Sequence, residues 1–317
     1  MRKILLISVL ALTLPLWAAD AYHSRGHAFE VTVGGGYSSL GYKVNNIAER
    51  LTSETFGSYS VQAHIGYSWF FIEYMGISAG VDVQHYGQSN SLNGLLSWNG
   101  VTDTDGERYE HRLGINDWSE RQDYWNLEVP VSLVFSIPVK DVVYITAQVG
   151  GKFGLPISGT YTGGGDLTHS GYYEPWDLTL TNKPNHGFYT EGNFEPKGDI
   201  QKKNYWSIFA KAGVALPLIE HLDLLMQVYF NYALTEIADD GQYGLVGFRN
   251  DRPGQEEAHY FMTNYIDMRN TGVISQPAKP WSVGLEVGVR YTIPTKKKAK
   301  HPCHCMDDYM NPWHGSY

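Results

Sequence analysis

The amino-acid sequence predicts an all-β fold, a transmembrane antiparallel up-and-down β-barrel of eight strands, with ten as the alternative. Three observations predict it. Apolar side chains recur at every second residue in eight separate stretches, the period of a strand with two unlike faces. The connections between these stretches alternate between short and long, as in barrels that cross the outer membrane. Charged residues make up only 18% of the chain, against 23 tyrosines and 34 glycines; about 25% charged is usual for a water-exposed surface.

The first stretch, residues 28–39, sets Phe29, Val31, Val33 and Tyr37 on one face and Glu30, Thr32 and Ser38 on the other. Residues 58–71 set Tyr59, Val61, Ala63, Ile65, Tyr67 and Trp69 against Gln62, His64 and Ser68. Residues 75–86 set Met75, Ile77, Ala79, Val81 and Val83 against Ser78, Asp82 and Gln84. Residues 125–136 set Trp125, Leu127, Val129, Val131, Leu133 and Phe135 against Asn126, Glu128 and Ser132. Residues 142–157 set Val143, Ile145, Ala147, Val149 and Phe153 against Tyr144, Thr146, Gln148 and Lys152. Residues 205–217 set Trp206, Ile208, Ala210, Ala212 and Val214 against Ser207 and Lys211. Residues 222–233 set Leu222, Leu224, Met226, Val228, Phe230 and Tyr232 against Asp223, Gln227 and Asn231. The last, residues 281–293, sets Trp281, Val283, Leu285, Val287, Val289 and Tyr291 against Glu286 and Arg290.

Short turns are expected at Ile72-Glu73-Tyr74, at 137–141 and at 218–222. Long connections are expected at about 40–57, 87–124, 158–204 and 234–280, on the outer side of the membrane. A tilted strand crosses lipid in about 9–11 residues, and each stretch is that long or slightly longer. Lipid offers backbone groups no water, so a spanning sheet must close on itself. Aromatics near the stretch ends, such as Tyr37, Trp69, Trp206 and Trp281, stand where interfacial girdles belong. A soluble sandwich or lipocalin-like barrel also alternates, with its apolar face inward. Here the polar faces hold few charges and many Gly, Ser, Gln and Thr residues, a poor surface for water. No Lys or Glu interrupts the apolar faces. Lipid is therefore the expected neighbour.

Arg2 and Lys3, the apolar run Ile4 to Trp17 and the Ala19-Asp20-Ala21 site read as a cleaved signal peptide over residues 1–21. The barrel domain is expected over 22–293. The formal net charge of −9 speaks against a nucleic-acid partner. Cys303 and Cys305, both near the end, are the chain's only cysteines, so no disulfide framework holds the fold.

Some pieces carry a family resemblance. "NLEVPVSLVFS" (126–136), "IGYSWFFIEYMGISAGVDV" (65–83) and "VGLEVGVRY" (283–291) are similar to segments of the small outer-membrane β-barrel proteins of Bacteroidota, the PorT-like and OmpA-barrel-like group. The resemblance spans roughly 28–293 and implies residence in a Gram-negative outer membrane, with no particular activity. With 24 residues following 293 in this sequence, the peptidoglycan-binding domain of OmpA-type proteins is not expected. Pro130, which cannot donate to a ladder, is expected to mark a bulge or a lost ladder bond.

An eight-stranded lumen is just wide enough for side chains to fill. The expected inward polar network is Glu30, Gln62, His64, Asp82, Glu128, Lys152, Lys211, Glu286 and Arg290, joined by Gln84, Tyr144, Gln148, Gln227 and Asn231. Buried charges must pair, so a plugged lumen is expected, with Glu30 paired to Arg290 and Glu128 to Lys152. A narrow channel is the first alternative. A lipid-modifying barrel enzyme is the second, because such chemistry wants a Ser with a His near the rim. His64 with Ser60 and Ser38, and His85 facing lipid, are its only raw material, and no catalytic role is assigned.

The long connections are the expected working surface, with Trp98, Tyr109, Trp118, Tyr172, Tyr173 and Trp176 as candidates for recognising an extracellular glycan or protein, or for packing into an ordered cap. Asp103, Asp105 and Glu107 in "DTDGE" lack the full calcium-loop spacing and read as a turn. The tail, 294–317, begins with a basic cluster at 296–300 suited to anionic headgroups or an envelope partner. Cys303, His304 and Cys305 are weak candidates for a soft metal ion. No cofactor is expected, and outer-membrane lipid is the expected surrounding.

Overall fold

The computed structural model describes residues 26–42, 51–103, 105–139, 143–195, 197–238, 246–249, 262–266 and 277–294. The expected leader and the Cys/His tail lie outside the described residues. Eight strands form the barrel: β1 (Gly26–Ser39), β2 (Leu51–Ile72), β3 (Met75–Thr102), β4 (Arg108–Val139), β5 (Val143–Tyr173), β6 (Tyr205–Ile219), β7 (Leu222–Ala233) and β8 (Trp281–Thr292). Each pairs antiparallel with its chain neighbours, and β1 pairs with β8 from Ala28↔Thr292 to Ser39↔Trp281. Closure leaves the ring without an edge.

The apolar face of each strand is the outward one. Leu285 is 68% exposed, Ile65 65% and Val33 58%, and the polar phase between them is buried. That arrangement rules out a soluble sandwich or lipocalin, whose apolar residues would be inside. A closed antiparallel barrel wearing an apolar belt is an outer-membrane barrel.

The β2–β3 turn is Glu73-Tyr74, and β6 joins β7 through Glu220-His221, where His221 takes a left-handed φ of 68°. The other end departs from expectation. Residues 87–124 and 158–204, expected as long connections, are largely strand. β4 has 32 residues and β5 31, about three times a membrane crossing, so β3, β4 and β5 continue as a projection, joined at its base by β2, whose Leu51–Gly57 pair with β3. Leu178–Leu180, Thr190–Phe194 and Lys197–Asp199 fold back and pair with β5.

The period-two signal fails there because bulges shift its phase. On β4 the buried set Tyr109, His111, Leu113, Ile115 changes to Trp118, Glu120, Gln122 across Asn116–Ser119, where Asp117 has φ 50°. On β5 the phase slips at Ile157, opposite Trp125/Asn126. Pro130 is buried on the lumen face, and the β3–β4 pairing passes from Ala79↔Val131 to Asp82↔Glu128 without it. It therefore sits at a gap in the ladder.

Candidate functional site

The lumen gathers charge from every strand. On β4, Glu128 accepts the hydroxyls of Tyr86 and Tyr205 at 3.1 and 2.5 Å. Lys152 of β5 bridges Glu128 and Asp82 at 2.9 and 2.7 Å. His64 of β2 lies between Asp82 and Glu30, its Nδ1 against Asp82 and its Nε2 3.0 Å from Glu30. Gln148 donates to Glu30 at 3.0 Å. A second centre is Glu286 of β8, which takes Lys211 at 3.0 Å, Gln62 at 3.0 Å and the Thr32 hydroxyl at 3.3 Å. Asn231 donates to Gln62, Gln84 and Ser282. Gln227 donates to Thr146 at 2.8 Å, and Tyr144 packs on Ala215 and Leu225. All these inward residues are buried.

The alternation put these side chains inside because successive residues alternate faces. Their partners depend on which neighbouring strand wins. Glu128 and Lys152 do pair. The expected Glu30–Arg290 pair does not form. The two are cross-strand neighbours at closure, but Arg290 also faces Asp223 on β7. It donates to that carboxylate at 2.8 and 3.1 Å, and Glu30 is taken by His64. Asp223 stands in the polar phase of its own strand, which was the signal for it. Tyr86 and Tyr205, also missed as ligands of Glu128, share the phase of Asp82 and Ser207.

The lumen ends under an apolar lid. Leu40, Tyr42, Ile200, Ile237, Ala238 and Ala278 pack with Tyr86, Leu92, Tyr124 and Tyr205. These side chains come from connections as well as strands, a convergence with no local sequence period. Among the described residues, this apolar cluster lies against Tyr86 and Tyr205, the two tyrosines that bond Glu128.

No hydrolase-like arrangement emerges around the candidates for one. His64 turns both ring nitrogens to carboxylates. Ser60 donates to the His85 carbonyl and Ser38 to that of Tyr59. His85, expected to face lipid, points outward but is buried. Its ring lies 4.6 Å from that of Tyr59 and 4.9 Å from that of Trp125, and Nε2 is 3.0 Å from Asp123. Arg121 grips Asp123 through two nitrogens at 2.8 and 3.1 Å and lies 4.9 Å over Tyr59.

In the projection, three of the six recognition candidates, Tyr109, Trp118 and Tyr173, are interior and not on the surface as expected. Tyr109 and Tyr173 stack at 5.5 Å and pack on Phe188, and Trp118 joins the lid cluster. The bulge turns Trp118 inward, and the returning segment covers the other two. Trp98 is half-buried 5.8 Å from His111. Tyr172 lies under Arg112 at 4.0 Å, and Trp176 is exposed. His111 and His169 bond ring to ring at 3.2 Å. Burial holds His111 down at about 4; burial and its neighbour His111 hold His169 at about 3. Asp103 closes the "DTDGE" turn by accepting the backbone N–H of Asp105 and Glu107 at 2.9 Å, as expected of a turn.

No protein-family model and no curated protein matches the chain. Among solved structures it is similar to Neisserial surface protein A at 10% identity, covering 84% of this chain and 99% of that one, TM-score 0.31. It is similar to Ail of Yersinia pestis, solved with the heparin analogue sucrose octasulfate, at 9% identity over 84% and 99%, TM-score 0.30. It is similar to OprG from Pseudomonas aeruginosa at 10% identity over 87% and 100%, TM-score 0.35. The eight-strand closure stands on the chain's own pairing.

Proposed function

We propose that this protein is a closed outer-membrane anchor that presents a stiff β-projection to the outside, with a structural or recognition role in a Gram-negative envelope and no enzymatic one. The observation that carries the reading is the lumen: ion pairs fill it and apolar side chains cover it. With the interior occupied, the surfaces left for partners are those of the projection, where Trp176 and Tyr172 offer aromatic faces to a glycan or protein. The short turns then face the periplasm, where the tail could meet an envelope partner. A Bacteroidota source belongs to this reading on the strength of the sequence pieces that resemble that group.

Planar-bilayer recording on the purified protein tests it. No discrete conductance steps are expected; steps of a stable amplitude would sink the plugged-anchor reading in favour of a narrow channel. Lipid A mass spectra from a strain lacking the gene should match the parent, and a lost modification would restore the enzyme alternative.

A further inference from the structure

We propose that Asp103, Asp105 and His186 form a binding site for a divalent transition-metal ion of the zinc type at the tip of the projection. Oxygen and nitrogen donors from the three lie within 4.8 Å of one another. His186 Nδ1 is 3.6 Å from Asp103 and Nε2 3.9 Å from Asp105. A tetrahedral ion with bonds near 2.1 Å separates its ligands by about 3.4 Å, so the three side chains would draw in from their spread of up to 4.8 Å around the one ring nitrogen the ion takes. One imidazole nitrogen and two carboxylates suit zinc, with water in the remaining position. Calcium wants six to eight oxygens, which this set does not supply.

The donors come from two segments that are each held in place. Asp103 is fixed by the turn bonds to Asp105 and Glu107 and by the Tyr173 hydroxyl, which donates to it at 2.7 Å. A hydrogen bond of that kind orients a metal-bound carboxylate. His186 closes the short helical turn Pro184–His186, which two bonds between Lys183 and Phe188 clamp, and its ring stacks on Phe188 at 6.0 Å.

A separate observation bears on the same site. Tyr109 is buried, its hydroxyl has no hydrogen-bond partner, and its ring stacks at 5.5 Å on Tyr173, the residue that donates to Asp103. Buried hydroxyls are ordinarily partnered. A water held by an ion on Asp103 would be a strong donor to that hydroxyl oxygen. Such an ion would also pin the β3–β4 turn to the segment that follows β5.

Titration calorimetry with ZnCl2, and separately CaCl2, tests this on the full chain carrying Cys303→Ser and Cys305→Ser, which removes the tail thiols as competitors. Zinc should bind in preference to calcium. Its affinity should fall at least about tenfold in His186→Ala and in Asp105→Asn. The second variant alters an exposed side chain and leaves the turn bonds intact, so it reports on the site even if the first disturbs the fold. Zinc-edge X-ray absorption should show oxygen and nitrogen neighbours only. Unchanged zinc affinity in both variants, or a preference for calcium, overturns the proposal.

Discussion

Lys152 holds two carboxylates at once, Asp82 and Glu128, and all three side chains are buried. Removing one member of a buried ion set costs about 3–5 kcal/mol, because the remaining charge stays desolvated. Lys152→Met should therefore lower the thermal midpoint sharply, and adding Glu128→Gln and Asp82→Asn should recover part of the loss. Full stability in the single variant would mean that water reaches the network. Arg290 gives a sharper test of partner choice. A double-mutant cycle of Arg290→Met with Asp223→Asn should show coupling of about 1 kcal/mol or more, and the same cycle with Glu30→Gln should show almost none. The result would be reversed if the closing strands paired their charges directly. At this scale the inward phase is legible in the sequence, since Glu30, His64, Asp82 and Glu128 all stand between outward apolar residues. The partners are not, because an inward charge meets two neighbouring strands and also reaches across the lumen.

The strands themselves show which local rules decide. At the β1–β8 seam a Cβ on Gly288 would sit 2.1 Å from the Val31 carbonyl oxygen and 2.6 Å from the Thr32 Cα. Both are backbone atoms that cannot step aside. At Gly35, on the same seam, the nearest atom would be the Ser60 oxygen at an ordinary 3.6 Å. Gly288→Ala should thus force the closing pair apart at about 1–3 kcal/mol, while Gly35→Ala is tolerated. The shift from folded to unfolded mobility on heating in dodecyl sulfate would read the difference, and equal transition temperatures would refute it. The membrane-crossing halves of the strands are legible because lipid demands an unbroken apolar phase. The projecting halves are not. There the outward face meets water, the bulges at Asn116–Ser119 and Ile157 reset the phase, and residues such as Gln88 and Asn90 are buried by bonding to Tyr42 and to each other.

The whole molecule joins a lipid-supported barrel to a projection that must stand in water, and the two halves should answer acid differently. His111 and His169 share a ring-to-ring bond at 3.2 Å, which needs one nitrogen to accept and so one ring to be neutral. Burial holds both below the ordinary histidine value near 6.5, at about 4 and about 3. Well above pH 6.5 both are neutral whether folded or unfolded, and they place no pH dependence on stability. As pH falls below 6.5 the unfolded chain takes up protons that the folded projection refuses, so stability declines down to about pH 3. The loss is on the order of a few kcal/mol and is confined to the elements that carry the pair. Hydrogen exchange at pH 7 and pH 4.5, corrected for the intrinsic rate, should show residues 108–116 and 166–173 losing protection. The β1–β8 seam, from Ala28↔Thr292 to Ser39↔Trp281, should keep it. His111→Phe with His169→Leu should remove the acid response, because an apolar pair of similar shape has no proton to gain. Equal loss at the seam would mean that projection and barrel unfold as one unit, and an unchanged response in the double variant would place the sensitivity elsewhere.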